Sequence, residues 1–599
     1  MKDIDRNQAI GLVLISAMLI AYFTFFSGPS AETKTTKPAT DISDTSKKAN
    51  TTTLAAKSSD TTQLKKQFGT FASFANGTET EYILENENLK VTLSSKGGTV
   101  KHVLLKNYKT YSKEDLYLIK SSFNTQRLIA FLPTGKINLN ELYYSSSKIG
   151  NTVSFVLPLA ENQFVSHSYT LPEKSFELTY NIEAKGIENL IQGDKIELTW
   201  NQEMPLTEKD LTASRTTANI TYRLNDGTYN SLSETKLELQ EAKLESKVNW
   251  ITFKQKFFSV GLISENGFAS GEIKSETDIN NPLVVKSVSA NLNLKVADLT
   301  AEKGKFKYYF GPNKLNLMAD VAPSFNENVY LGWPIINNIN RYTIAPLFSF
   351  LEKFIGNYGV IIIAMVLIIK LILLPLSFQA YKSMAKIKVL KPELDDIKAR
   401  AGDDMTVQQQ EQMKLYQQVG INPLAGCIPV LLQMPVLLAM FNFFPNAIEF
   451  RQQSFLWAED LSTFDTIATL PFSIPFYGDH VSLFTILMTA STILYTWYNS
   501  QMQVSATGPM IAMSYIMPVV FMFVMNSFPA GLSFYYFVSN MITVGQQFLI
   551  KSFVNEDDIR AKLEDNKKKL VDKKPNRFQQ RLQAAMEQQQ ELKKKPTKK

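Results

Sequence analysis

One basic side chain, Lys370, stands inside an otherwise apolar run over residues 360–378, VIIIAMVLIIKLILLPLSF. A helix rises about 1.5 Å per residue, so about 20 such residues cross a hydrocarbon core of about 30 Å. An ammonium at mid-span costs about 2.5–3.5 kcal/mol on insertion scales. Two accounts would meet that cost. Lys370 faces a hydrated cavity, or its stem snorkels past Leu371 to Leu376 toward polar surroundings about 9 Å away. Other apolar runs also carry polar side chains at depth: Gln433, Asn442, Asn526, Ser539 and Asn540. In lipid such groups cost energy unless they meet one another or water, so the economical arrangement turns them together around the lysine. No acid shares the run with Lys370, in contrast to the carboxylate chains of proton relays.

Other chemistries find little support. The single cysteine, Cys427, excludes a disulfide within the chain and a cysteine-based metal centre. The three histidines, His102, His167 and His480, are far apart and form no metal-binding or triad spacing. There is no phosphate-binding loop; Gly97-Gly98-Thr99 reads as a hairpin turn. The expectation is therefore a protein without cofactor or metal, and not an enzyme.

The elements that would hold Lys370 are unevenly distributed along 599 residues. Hydrophobic residues are 45% and charged residues 20%, with net charge +7, and both apolar and basic residues cluster. Residues 1–27 begin with Lys2 and Arg6, followed by 18 largely apolar residues over 9–26. This reads as an uncleaved membrane anchor with a cytoplasmic N-terminus, a cleaved signal peptide being the alternative. Residues 28–67 are rich in Thr, Ser, Ala and Lys and read as a disordered tether. Residues 68–329 have a different texture. Leu89–Leu93 alternates apolar and polar residues, Gly97-Gly98 follows, and Val100–Val103 resumes the alternation, a hairpin signature. Similar runs recur over 153–157, 176–182, 195–200, 250–253, 283–288 and 306–310. Turn residues stand at 225–227, 265–267 and 280–282, and a charged stretch with helical spacing covers 231–246. The expectation is a large antiparallel β-sandwich.

Residues 330–357 are amphipathic and led by Trp333, with Pro334 and Pro346 expected to break them. They fit a helix lying in the membrane interface, or a helix closing the sandwich. Five further spans are expected within 358–552, over 358–378, 422–444, 483–497, 510–528 and 532–550. Between the first two of these, residues 379–420 read as a helical hairpin split at Gly402-Asp403-Asp404. Its lysine excess places it in the cytoplasm. The loop over 446–481 has one basic residue, Arg451, and fits the outer side. The tail over 553–599 is dense in lysine, suited to anionic lipid or ribosomal RNA, or simply solubilising. The fold expected is thus a polytopic α-helical membrane protein with six transmembrane helices and one large β domain.

Several motifs recur in order across about 220 residues. They are Leu374-Pro375-Leu376, Gln379-Ala380-Tyr381-Lys382-Ser383-Met384-Ala385-Lys386, Leu390-Lys391-Pro392 and Asn422-Pro423-Leu424-Ala425-Gly426-Cys427. Leu432-Gln433-Met434-Pro435, Phe528-Pro529-Ala530-Gly531-Leu532 and Tyr535-Tyr536-Phe537-Val538-Ser539-Asn540 complete the set. With them the chain resembles the YidC/Oxa/Alb membrane-protein insertases, in the Gram-negative form whose periplasmic domain is a β-supersandwich. The resemblance implies a multi-pass inner-membrane protein with both termini cytoplasmic and the β domain periplasmic. It also implies a hydrophilic groove open to the cytoplasm and closed to the outside. On that pattern Lys370, Gln433, Tyr535, Tyr536, Ser539 and Asn540 line the groove. Ile428, Leu432, Val436, Met517 and Phe521 form the apolar slide by which a substrate leaves for lipid. Implied partners are nascent membrane proteins, the Sec translocon, the ribosome at the hairpin and tail, and the phospholipid bilayer, with a monomer favoured.

Two positions depart from the family pattern. Lys370 stands where arginine is usual, so charge is kept and the bidentate fork is not. Val366 stands where some members carry threonine, so that role does not transfer. A secondary transporter would need inverted repeats and paired acids in the spans. An anchored periplasmic binding or sensor protein would leave five spans without a task.

Overall fold

The computed structural model describes residues 61–402, 404–421, 428–500 and 508–569. The N-terminal anchor and residues 28–60 of the tether lie outside these. The chain divides into two compact units, one up to Tyr330 and one from Leu331.

The first unit is β. Three antiparallel sheets of four, nine and six strands account for it. The alternation over Leu89–Ser94 and Thr99–Lys109 forms the expected hairpin, with Leu89, Val91 and Leu93 fully buried on one face. The nine- and six-stranded sheets face each other through aromatic rings. Trp200, on the strand Lys195–Pro205 of the smaller sheet, stands 4.2 Å from Phe253 of the larger one. Its indole N–H donates to Asn124 Oδ1 at 2.7 Å, so the burial leaves no polar atom unmet.

Three local readings change. Residues 61–67, expected in the tether, belong to a helix over Thr61–Phe68, and Phe68 and Phe71 behind it are buried anchors. The charged stretch over 231–246 holds no helix. Gln240–Leu244 is a strand paired with Ser270–Glu276, and the preceding loop is tied by two buried lysines. Lys254 Nζ meets Glu234 at 2.6 Å, and Lys286 Nζ donates to the Glu234 carbonyl at 2.8 Å. Those bonds outweigh a weak local helical preference. The residues Glu265-Asn266-Gly267 make no chain reversal; they lie within the strand Phe258–Phe268, at an irregularity in its pairing. Gly267 takes φ +71°, and a Cβ there would stand 3.1 Å from the Val248 carbonyl.

His167 is the buried histidine of this unit, 1% exposed. Nδ1 pairs with Tyr180 Oη at 2.9 Å and Nε2 with Tyr144 Oη at 3.2 Å. Burial pushes its pKa down to about 3. The unfolded chain takes up this proton near the ordinary value of about 6.5 and the folded chain does not, so stability is full above that pH and falls as pH drops toward 3. Between pH 7.5 and 4.5 the loss from this group should be about 3 kcal/mol. Urea midpoints read on tryptophan fluorescence, compared with His167→Gln, check it; equal pH slopes for the two proteins would refute the assignment.

The second unit is helical. It begins with α1 (Pro334–Ile339) and α2 (Ala345–Glu352), joined by a π-turn over Asn340–Ile344. Pro334 opens α1 as expected. Pro346 stands in the first turn of α2, just past the π-turn that separates the two helices, where an N–H is not required. Next come α3 (Tyr358–Ile372), α4 (Leu374–Val389), α5 (Lys391–Ala401) and α6 (Met405–Val419). They are followed by α7 (Ile428–Asn446), α8 (Leu483–Ser500), α9 (Gly508–Met525), α10 (Ala530–Ser552) and α11 (Glu556–Lys569). The loop between α7 and α8 carries a two-stranded hairpin, Ala468–Ile474 with Gly478–Val481.

The apolar run around Lys370 is not one straight helix. It stops at Ile372, and α4 leaves at 61°. Pro375 has no N–H for the ladder and disfavours a helical residue before it, which ends α3 early. The helical hairpin thus starts at Leu374 rather than 379. Among the described residues no single helix is long and apolar enough to cross a membrane, and the bent pair α3–α4 passes that test together. Six separate spans are therefore not displayed among the described residues: the run over 358–378 is broken at Leu373, while α8 and α10 run unbroken through their expected spans but carry many polar side chains. The tail also differs. Its start is not featureless: α11 buries Ile559 and Leu563 against Leu390, Leu394, Ile397, Leu415, Tyr416 and Val419 of the hairpin.

Candidate functional site

Lys370 is placed by α3. The Asn357 side chain accepts from Val360 N at 3.1 Å and starts the helix. Gly359 lets it pack, because a Cβ there would stand 2.1 Å from the Phe455 ring. Ile362, Val366 and Lys370 repeat every four residues and share the buried face. Lys370 is 8% exposed, whereas Leu371 and Ile372 beside it are 62% and 70% exposed. The polarity is inverted: the charge is inside and the aliphatic surface outside. No carboxylate is paired with Lys370 among the described residues.

The opposite wall is α10, which packs along α3. Gln546 Nε2 donates to the Lys370 carbonyl at 3.2 Å and links the two helices at the lysine. Higher on α10, Tyr535 and Tyr536 stand edge to face, 5.7 Å apart. Tyr535 meets Phe444 at 5.6 Å and Tyr536 meets Phe441 at 5.9 Å, both on α7. Phe441 also meets Phe521 of α9 at 6.2 Å and Phe528 at 5.5 Å. One phenylalanine thus joins a proposed groove residue, Tyr536, to a proposed slide residue, Phe521.

Not all the polar residues at depth converge on Lys370. Asn540 Nδ2 donates to Ser491 Oγ at 3.1 Å and Thr492 Oγ1 at 2.9 Å, pinning α10 to α8. Asn442 Nδ2 donates to the Leu438 carbonyl of its own helix at 2.8 Å. Asn526 is fully buried in the loop beside α8. Each finds a nearer partner, which satisfies it more cheaply than a shared pocket would. Gln433, Ser539, Val436, Met517 and Phe521 are half-buried; the side chains of Ile428 and Leu432 lie outside the described residues. Phe441 and Gln546 had no distinguishing signal in the sequence beyond their position on apolar helices. Along α10 the structure thus sets the Lys370 contact at Gln546 and, higher up, two phenols packed against aromatic side chains of α7. Among the described residues no cluster of His, Cys, Asp or Glu is suited to a metal ion.

Comparison with known proteins identifies the family. Residues 350–557 match the model described as the 60Kd inner membrane protein, and residues 82–342 match the YidC periplasmic domain. A membrane protein insertase YidC from Amoebophilus asiaticus is 46% identical over 593 residues, covering 97% of this chain and 98% of the relative. The counterpart from Cytophaga hutchinsonii is 43% identical over 621 residues, covering 98% and 99%. A crystal structure of an active YidC insertase with its first transmembrane domain resolved is 18% identical, with TM-score 0.34 over 78% of this chain and 92% of that one. With end-to-end identities of this size, the chain belongs to the YidC family of membrane protein insertases.

Proposed function

We propose that the helical unit lies in the inner membrane and carries nascent membrane proteins from the cytoplasm into the bilayer along the groove between α3, α7, α9 and α10. The single observation that carries this reading is the inverted polarity of α3, with Lys370 buried beside exposed Leu371 and Ile372. A water-soluble protein hides its aliphatic residues and exposes its lysines; a lipid-facing helix does the reverse. Exposed Ile516, Val519 and Val520 on α9 and Phe548 and Leu549 on α10 follow the same rule.

In this reading five core spans and the N-terminal anchor cross the membrane, both termini are cytoplasmic, and the β unit is periplasmic. Lys370 attracts the acidic or polar part of an entering chain. Gln433, Tyr535, Tyr536, Ser539 and Asn540 offer it hydrogen bonds in place of water. The apolar segment then passes Ile428, Leu432, Val436, Met517 and Phe521 into lipid. Burial in hydrocarbon is worth about 25 cal/mol per Å² of apolar surface, so release requires no other energy source. The hairpin α4–α6 with α11 receives the chain from the ribosome, and the protein works as a monomer, alone or with the Sec translocon. Photocrosslinkers at Val436, Met517 and Phe521 test the path. Each should capture a ribosome-stalled membrane protein, and an exposed β-unit position such as Leu283 should not.

A further inference from the structure

At one end of the helical unit a chain of buried polar groups ties three helices together. Asp465, in the loop before α8, is 4% exposed. Its Oδ2 accepts from Leu483 N at 2.9 Å, Phe484 N at 3.1 Å and Trp457 Nε1 at 2.8 Å. Its Oδ1 accepts from Ser482 Oγ. Ser482 Oγ also lies 2.9 Å from Thr485 Oγ1 and accepts from Thr485 N at 3.1 Å. Thr485 Oγ1 then reaches the Met525 carbonyl at the end of α9 and Ser533 Oγ in the first turn of α10, both at 3.2 Å. Asn526 closes the loop: it accepts from Ser482 N at 3.0 Å and donates to the Tyr477 and His480 carbonyls at 2.8 Å. The same loop caps α10 directly, Ala530 N donating to Thr463 O and Gly531 N to Leu461 O. Ser482, Thr485, Asn526 and Ser533 are all at most 1% exposed. Toward the Lys370 end α10 is held by single amide bonds from Gln546 and Gln547 and by apolar contacts of Phe548 with Tyr498 and Ile550 with Tyr381, with no buried polar network among the described residues.

A buried network in which each member is satisfied is rigid, because breaking one bond strands its partners away from water. We propose that Asp465 is a positioning residue for the groove. Through Ser482 and Thr485 it locks the adjoining ends of α8, α9 and α10 into one closed pivot, while the Lys370 end keeps the freedom to admit a chain. Ser533 is two residues from Tyr535, so the same lock sets the register of the groove tyrosines. The inference rests on the groove reading above.

The test uses the full chain in reconstituted vesicles. Asp465→Ala should lower insertion about tenfold. Asp465→Asn should stay near wild type, because its carbonyl oxygen can accept the three N–H groups while Ser482 turns to accept from the amide. Thr485→Cys with Ser533→Cys, in a Cys427→Ser background, places two thiols where hydroxyls stand 3.2 Å apart. Once oxidised, that pair should restore most of the insertion lost in Asp465→Ala, and reduction should remove the rescue. If Asp465→Ala does not accumulate, Ser533→Ala replaces it, with an expected fall of about threefold. Wild-type rates in Asp465→Ala would overturn the proposal. So would a formed disulfide that leaves insertion intact in the parent and gives no rescue. The groove reading fails separately, on normal insertion of an acidic translocated segment by Lys370→Ala with the disulfide rescue still present.

Discussion

Lys370→Ala should insert substrates with acidic translocated segments about tenfold more slowly than the parent, and neutral substrates at nearly the same rate. At an effective dielectric of about 20, two unit charges about 4 Å apart attract by about 4 kcal/mol, and water in a groove leaves about a third of that, close to tenfold in rate. Lys370→Glu replaces attraction by repulsion and should cost about a hundredfold for the same substrates. Lys370→Arg keeps the charge and should insert at close to the parent rate; its planar fork adds directional donors that a mobile, hydrated segment does not need. Protease protection of translocated segments in proteoliposomes reads all three. Equal rates for Lys370→Ala and the parent on an acidic segment would end the electrostatic account.

Ending the chain after Asn555 should unfold the hairpin, and ending it after Lys569 should not. α11 inserts Ile559 and Leu563, 5% and 4% exposed, into the apolar cluster of α5 and α6. Burial of two such side chains stabilises by about 3–6 kcal/mol, a large part of what a three-helix layer has. The Lys388–Glu556 pair at 2.6 Å is partly exposed and adds little. The shorter chain should therefore show rapid proteolysis between Lys391 and Val419, with the rest of the helical unit intact. The longer one should resist cleavage like the full protein. Similar cleavage of both would mean that the hairpin is held by something other than α11.

These two expectations differ in how far the sequence carried them. The cost of Lys370 in an apolar run was plain from residue types alone, since an ammonium among isoleucines has few cheap solutions. The β alternation was equally legible, because side chains at period two around Leu89, Val91 and Leu93 must face one core. What period and composition did not reveal were long-range partners. Ile559 and Leu563 look like stray apolar residues in a charged tail until α5 and α6 are folded beside them. Nothing in the run around Asn540 shows that its Nδ2 also pins α10 to α8 through Ser491 and Thr492. The strand Gln240–Leu244 has helical charge spacing, and only its pairing with Ser270–Glu276 decides the matter. The break at Leu373 was readable from Pro375 and was masked by the hydropathy that runs through it.

The central claim is that an entering chain divides between Lys370 and the aromatic face that Phe441 joins. Photocrosslinkers placed in turn at Gln433 and at Met517, with a stalled nascent membrane protein, measure that division. The account expects the acidic flank of the substrate to be captured at Gln433 and its apolar segment at Met517, with the Gln433 product lost in Lys370→Glu. Capture of the apolar segment at both sites, unchanged by the charge reversal, would contradict it.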